Sequence, residues 1–136
     1  MKSVKINNDN LTGSEIDEVV TRVKTFIINS QGEVLVATSN GGCQLPGGHR
    51  EDGEDLKTTV KREVQEETGI VLDDSEIVEP FFEIVHLTKN YHGSGKNRKS
   101  NVVYFLIKTN KPVDVNMTLQ SPPFYKVFLS KCFWGM

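Results

Sequence analysis

Apolar residues recur along this chain with two spacings. Between 54 and 68 they fall at Leu56, Val60 and Val64, four apart with polar residues between. That is the period of one helical face, and Gly69 directly after it reads as a C-terminal cap. Elsewhere the apolar residues run together. VTRVKTFIIN (20–29) and EVLVATS (33–39) read as strands, with Ser30-Gln31-Gly32 as the turn of a β-hairpin. NGGCQLPGG (40–48), dense in glycine and interrupted by Pro46, reads as a shaped loop. EIVEPFFEIVHLTKNY (76–91) is β-rich, with a break or an edge at Pro80. HGSGKNRKSN (92–101) is a basic, glycine-bearing loop, and VVYFLIKT (102–109) has the near-continuous apolar character of a buried central strand. NKPVDVN (110–116) is a turn or a short edge piece.

The two ends are less sharply patterned. The first ten residues suit a loose arm or an edge strand, and Ser14-Glu15-Ile16-Asp17 resembles a weak capping box, so a short helical turn is expected over 14–19. The tail SPPFYKVFLSKCFWGM (121–136) fits a helix capped by Ser121 with prolines in its first turn. Phe124, Val127, Phe128 and Cys132 would then share a face; a strand fits nearly as well. Strands with a helix between hairpins, rather than strict β-α alternation, predict an α+β fold with a mixed sheet. A chain of 136 residues is long enough for one cored domain and too short for two ordinary ones, so a single domain over 1–136 is expected.

Charge and composition narrow the function by exclusion. A net charge of −2 gives no general attraction to nucleic acid or to an anionic membrane. The opening MKSVKINNDN has no apolar core of a secretory signal, and no apolar run approaches a membrane span. Cys43 and Cys132 lack the CxxC spacing of a thiolate metal site and read as free thiols in a reducing cytoplasm, the expected location, with one disulfide as the alternative.

One cluster does change the picture. Between Gly47 and Ile70 stand Glu51, Asp52, Glu54, Asp55, Glu63, Glu66 and Glu67, the last three gathered beside Arg62. Like charges so close weaken a helix. At about 100° per residue, Glu67 falls roughly 20° to one side of the Leu56 meridian and Glu63 roughly 20° to the other, with Glu66 on the Glu63 side. A solvated charge run belongs opposite the apolar stripe; two of these carboxylates lie on it. Carboxylates turned toward protein need a partner or take up protons, and Arg62 alone is too little for three. A hard divalent cation fits, since Mg²⁺ or Mn²⁺ takes carboxylate and carbonyl oxygens and keeps waters for a substrate phosphate. Glu66 and Glu67 would be ligands, and the side-chain-free backbone at Gly47-Gly48 could bring a carbonyl to the ion.

The same residues carry a family resemblance. Gly48, five residues, Glu54, seven residues, then Arg62-Glu63-Val64-Gln65-Glu66-Glu67-Thr68-Gly69-Ile70 resembles the Nudix box, G-x5-E-x7-R-E-U-x-E-E-x-G-U with U a bulky aliphatic, at every specified position. From this composition a chance match at a given start is on the order of 10⁻⁹ to 10⁻¹⁰. The Leu45-Pro46-Gly47-Gly48 lead-in, the hairpin before it and VVYFLIKT after it also resemble the Nudix (MutT-like) family, so the likeness covers about residues 20–110.

The resemblance implies an α/β/α sandwich around a mixed sheet, with the box (48–70) as loop-helix-loop. It implies a Mg²⁺-dependent hydrolase, with Mn²⁺ able to substitute, cleaving the pyrophosphate linkage of a nucleoside diphosphate derivative. It implies Glu66 and Glu67 as metal ligands, Glu63 as a further ligand or the base that activates water, the Gly47 carbonyl in the metal shell, and Arg62 orienting Glu63. Glu54 becomes a structural or secondary metal residue, and Gly48 and Gly69 shape the loops. No competing Ser-His-Asp or Cys-His constellation is present. The small chain favours a nucleoside triphosphate, oxidised ones included. ADP-ribose, a nucleotide sugar or a dinucleoside polyphosphate are the alternatives, as are a nucleotide-sensing module without turnover and an isoprenoid diphosphate isomerase of the same fold.

The chain departs from the family in its last part. Relatives often take a further acid from the C-terminal half, but the last acid here is Asp114. Glu79 and Glu83 are candidates by position. The tail (115–136) is short where many relatives carry a fuller helix. Either the chain ends compactly or a partner subunit covers the gap; Phe124, Phe128, Phe133 and Trp134 suit the second, a homodimer. The cations Lys89, His92, Lys96, Arg98 and Lys99 could fold over a polyphosphate, with Lys96, Arg98 and Lys99 the substrate-binding candidates. His49 could touch phosphate or be inert. Glu51 and Asp52 read as solvated, Cys43 as packed, and Phe81, Phe82, Tyr91 and Tyr104 as core residues or base-stacking platforms.

Overall fold

The computed structural model describes residues 1–39, 42–113 and 126–131. Its strands are β1 (Lys2–Ile6), β2 (Glu18–Ile28), β3 (Glu33–Ser39), β4 (Gly42–Gln44), β5 (Gly47–His49), β6 (Phe82–Thr88), β7 (Arg98–Lys108) and β8 (Lys126–Lys131), with α1 (Leu56–Thr68) between β5 and β6. They form one mixed sheet in the order β1-β6-β7-β2-β3-β4, with β5 added to β2 and β8 to β3. The β1–β6 and β2–β7 pairs are parallel; the others are antiparallel. The N-terminal segment is therefore an edge strand rather than a loose arm.

β7 is central, as its apolar run predicts, but it is covered unequally. Val103, Phe105 and Ile107 are buried on the face that carries α1, against Val23 and Ile27 of β2 and Val60 and Val64 of the helix. Each such valine contributes about 1.5–3 kcal/mol of burial. Val102, Tyr104 and Leu106 point the other way and are only half-buried. On that face Phe26, Phe81, Phe82 and Tyr104 pack on one another, with ring centroids 5.9–6.2 Å apart. These aromatics meet at tilted and edge-on angles, and no α-helix covers that face among the described residues. The α/β layer pair of the expected sandwich is present; its third layer does not appear there. No described helix is long and apolar enough to cross a membrane.

Three local differences from the expectations have physical causes. The helical turn over 14–19 is a 3₁₀ turn at Gly13–Glu15, closed when the Thr12 N–H donates to Glu15 Oε1 at 2.9 Å. The basic stretch 92–101 divides: Tyr91–Gly93 is a 3₁₀ turn, and β7 has begun by Arg98. Arg98 stands opposite Glu18 in the β2–β7 register and donates from Nε to Glu18 Oε1 at 3.0 Å, which extends both strands. At the C-terminal end, 126–131 is a strand on β3, so the strand alternative holds there. The homodimer expectation rests on a tail whose residues 114–125 and 132–136 lie outside the described residues.

One feature of the hairpin places the site. β2 and β3 meet in register only at Ile28 and Val34, around a turn in which Asn29 Oδ1 accepts from the Gln31 and Glu33 N–H groups at 3.0 Å. Beyond that point β3 diverges, and β5 takes its place beside β2, with Arg22, Val23 and Lys24 opposite His49, Gly48 and Gly47. Thr25, fully buried, pins the connection by donating from both N and Oγ1 to the Pro46 carbonyl at 2.9 and 2.8 Å. α1 packs on β5 and β2, so its acidic end meets the Gly47-Gly48 backbone.

Candidate active site

The helix begins where its sequence predicts, with one refinement. Asp55 is the N-cap, its Oδ1 accepting from the Thr58 N–H at 2.8 Å; Glu54 lies just before the helix rather than in its first turn. At the other end Gly69 adopts φ 77°, a left-handed conformation that glycine reaches without a Cβ penalty, and donates to the Gln65 carbonyl at 2.9 Å.

Arg62 is the hub. Its Nε and Nη2 donate to the two carboxylate oxygens of Glu54 at 2.7 and 2.9 Å, a bidentate fork. Nη1 donates to Glu63 Oε1 at 2.9 Å, and Nη2 also donates to the His49 carbonyl at 3.0 Å. Glu66 and Glu51 stand farther out, at 3.5 and 3.7 Å from Nη1. The Arg62 hydrogen bonds hold the Glu54 carboxyl down to about 2, while Glu54 and Glu63 raise the guanidinium's own pKa. Glu54 also accepts from the Glu51 N–H and Thr59 Oγ1. In this geometry Glu54 fixes the arginine that in turn holds Glu63.

Glu63 and Glu67 shift the opposite way from Glu54. Burial raises the Glu63 carboxyl, opposed by Arg62 and assisted by Glu66 and Glu54. Burial pushes Glu67 up to about 7, against a hydrogen bond from the Gly47 N–H to Oε2 at 3.2 Å and with the help of Glu63. Glu66 is exposed at the rim. The glycines are required by contact. A Cβ on Gly48 would overlap the Glu63 carboxylate, and one on Gly47 would overlap the Val23 carbonyl.

These groups suit a hard divalent cation by donor chemistry: two half-buried, mutually repelling carboxylates, a third at the rim, and a bare glycine backbone against them. Among the described residues, no three His, Cys, Asp or Glu side chains converge on one point as they stand. Arg62 holds one Glu63 oxygen and the Gly47 N–H holds one of Glu67, so closing a site requires those side chains to turn.

The other candidates separate. Arg98 is ion-paired with Glu18, and its guanidinium lies 3.8 Å over the centre of the Tyr91 ring. Lys99, next along β7, faces the opposite side of the sheet, and Lys96 is exposed in the turn before it. The three do not form one hand. Glu83 accepts from Ser3 Oγ at 3.0 Å between β1 and β6, and Glu79 is exposed. His49, opposite Arg22, has its pKa lowered by burial and by Arg22, Arg98 and Lys24. Two cations escape sequence reasoning. Lys24 donates to the Leu45 carbonyl at 3.3 Å; burial lowers its pKa and Glu67 opposes that. Arg22 precedes it on the same face of β2. Only their alternation within β2 could have marked them.

Comparison with known proteins agrees with this geometry. A family model described as NUDIX domain matches residues 20–127. Nudix hydrolase 25 of Arabidopsis thaliana is 49% identical over 52 residues, 36% of this chain and 30% of that protein; the match thus spans under a third of the relative's length. Among solved structures, a MutT protein from Bacillus halodurans aligns with a TM-score of 0.59 and 26% identity over 82% of this chain and 68% of that one. A bifunctional NMN adenylyltransferase/ADP ribose pyrophosphatase from Francisella tularensis shares the fold, with a TM-score of 0.51 and 20% identity over 81% of this chain and 33% of that one. With the family model covering well over half its length and the box residues assembled around Arg62, the chain belongs to the NUDIX domain family.

Proposed function

We propose that this protein is a divalent-metal-dependent hydrolase that cleaves the pyrophosphate linkage of a nucleoside diphosphate derivative, with nucleoside triphosphates the first substrates to test. The observation that carries the reading is the pairing of half-buried Glu67, at about 7, with Glu63 beside a glycine backbone, next to an arginine locked by Glu54. Glu66, Glu67, Glu63 and the Gly47 carbonyl are the groups that would hold Mg²⁺ or Mn²⁺, which when bound supplies neutralisation of the diphosphate and a more acidic water.

The chain's own residues do the rest. Glu54 fixes the plane of Arg62, and Arg62 fixes Glu63 through Oε1. Where Glu63 is the base rather than a further ligand, Oε2 is the atom that takes the proton from water, and the raised pKa of this carboxyl makes it a better acceptor at neutral pH than an ordinary glutamate. Glu67 presents Oε1, since Oε2 is engaged by Gly47. Lys24, held near Glu67, offers positive charge to the departing phosphate.

The test is release of phosphate or pyrophosphate with Mg²⁺ over nucleoside triphosphates, oxidised ones included, ADP-ribose, nucleotide sugars and dinucleoside polyphosphates. Turnover of at least one is expected, falling by orders of magnitude in Glu67→Gln and Glu63→Gln. Variants that keep the wild-type rate would show the site to be misassigned. A second reading, a nucleotide sensor without turnover, draws on the lack of three converging acids among the described residues. It is favoured if no compound is hydrolysed while nucleotides raise the melting temperature.

A further inference from the structure

The sheet face opposite α1 holds a cleft of about 420 Å³ that the chemistry above does not use. Ile84 and Val102 form an apolar floor, and Arg22, His86, Ser100 and His92 stand around it. Arg22 is the unusual member. Its Nε is buried without a hydrogen-bond partner, and no carboxylate is paired with its guanidinium among the described residues. The neighbouring Arg98 is neutralised by Glu18 and laid over Tyr91, which forms another wall of the cleft. Arg22 is left as the uncompensated cation.

The turn that brings His92 to the rim is tightly shaped. Asn90 and His92 both adopt left-handed φ, 48° and 49°, and Gly93 and Gly95 do so as well. Hydrogen bonds from the Gly95 N–H to Asn90 Oδ1 (2.6 Å) and from the Tyr91 N–H to the Lys96 carbonyl (2.8 Å) hold it. Non-glycine residues in this region are rare and cluster at ligand clamps.

The cleft is remote from the Glu67 end of the site. Gly47 lies on β5, on one flank of β2; the cleft lies across β7 and β6 on the other flank, where Arg22, Val102 and Ile84 stand side by side in register. At about 4.8 Å per strand, its centre is on the order of 10 Å from β5. A group seated at that centre, over β7, stands apart from the Gly47–Glu67 end, although Arg22 itself is in register with His49 of β5.

We propose that this cleft binds a phosphate group carried by the substrate's remote moiety, with Arg22 as its principal ligand. The substrate class is then a diphosphate derivative bearing a separate phosphate monoester. A guanidinium, a hydroxyl and imidazoles arriving from β2, β7, β6 and the Tyr91–Gly93 turn stand around the cleft and suit a group that accepts from several directions, as a phosphate does and a flat carboxylate does not. The proposal rests on the diphosphate-hydrolase reading for its substrate, but its test is binding without turnover.

Calorimetry in EDTA would compare adenosine 3′,5′-bisphosphate with adenosine 5′-monophosphate on the wild type, Arg22→Gln and His86→Gln. The bisphosphate should bind at least tenfold more tightly to the wild type. That ratio should fall to about one in Arg22→Gln and partly in His86→Gln, an exposed position that leaves folding intact. A wild-type ratio near one, a ratio retained in Arg22→Gln, an equal loss for both ligands, or no binding of either would each overturn the proposal. A protein that hydrolysed nothing would still pass or fail this test, so the two readings fail separately.

Discussion

Glu67 should destabilise the metal-free protein at neutral and alkaline pH, and removing its charge should make the fold stronger. Its carboxyl is pushed from an ordinary 4.5 to about 7, chiefly by burial. The sign follows from proton linkage. A folded state that holds the proton more tightly than the unfolded state is favoured below the unfolded pKa, and the advantage is lost as pH rises through the folded pKa. The difference, 7 minus 4.5, at about 1.36 kcal/mol per unit, gives a loss of about 3 kcal/mol between pH 4.5 and pH 8. Glu63, raised for the same reason, adds in the same direction. In Glu67→Gln the side chain no longer titrates, and its amide oxygen can still accept from the Gly47 N–H. Without metal, the variant and the wild type should therefore differ little at pH 5. At pH 8 the variant should be more stable by up to about 3 kcal/mol, a melting-temperature gain on the order of 10 °C for a chain of this length.

Urea unfolding in EDTA at pH 5 and pH 8 measures this directly. Mg²⁺ supplies the complementary measurement. Binding at Glu67 competes with its proton, so the cation should stabilise the wild type more at pH 8 than at pH 6 and stabilise the variant far less. If Glu67→Gln is weaker than wild type at pH 8, or the difference is the same at both pH values, the carboxylate is not held at a cost and the account of the helix is wrong.

Other perturbations separate the supporting parts. Glu54→Gln should cost at least tenfold in kcat and alter the acid limb: Glu54, held at about 2, contributes stability that is present above 4.5 and lost as pH falls toward 2, and acid unfolding followed by circular dichroism should show that contribution missing. Arg62→Lys should not restore the wild-type rate, because an ammonium cannot make the fork to Glu54 while also holding Glu63. Gly48→Ala should displace the Glu63 carboxylate, costing about 1–3 kcal/mol of stability by urea unfolding and lowering kcat more than it raises KM. Gly69→Ala should cost about 1 kcal/mol through its left-handed φ with little effect on KM, read from thermal unfolding and steady-state kinetics.

The parts of this molecule that were legible in sequence are those whose physics is local. A helix carrying Leu56, Val60 and Val64 on one stripe must turn Glu63 and Glu67 toward protein, so the acids could be placed before any coordinates. Gly69 and Gly32, which closes the 30–32 turn, are set by backbone conformations that few residues adopt. What could not be read depends on partners distant in sequence. β7 starts at Arg98 because Glu18, eighty positions earlier, stands opposite it, and the divergence of β3 from β2 shows only once β5 is seen filling the gap.

Arg22 shows the limit most clearly. In sequence it is one polar residue in an apolar strand, and alternation says only that it faces away from the core. Nothing local distinguishes it from Lys24, two positions on. The distinction is made by what surrounds each. Lys24 finds the Leu45 carbonyl and the charge of Glu67, while Arg22 faces Val102 and Ile84 across the sheet and has its Nε buried without an acceptor. A family pattern fixes the residues that act on the part of the substrate common to all members, the diphosphate. Under the proposed phosphate site, the rest of the substrate is read from the opposite flank of β2, and an unpaired cation there is the feature through which this chain's specificity can be tested.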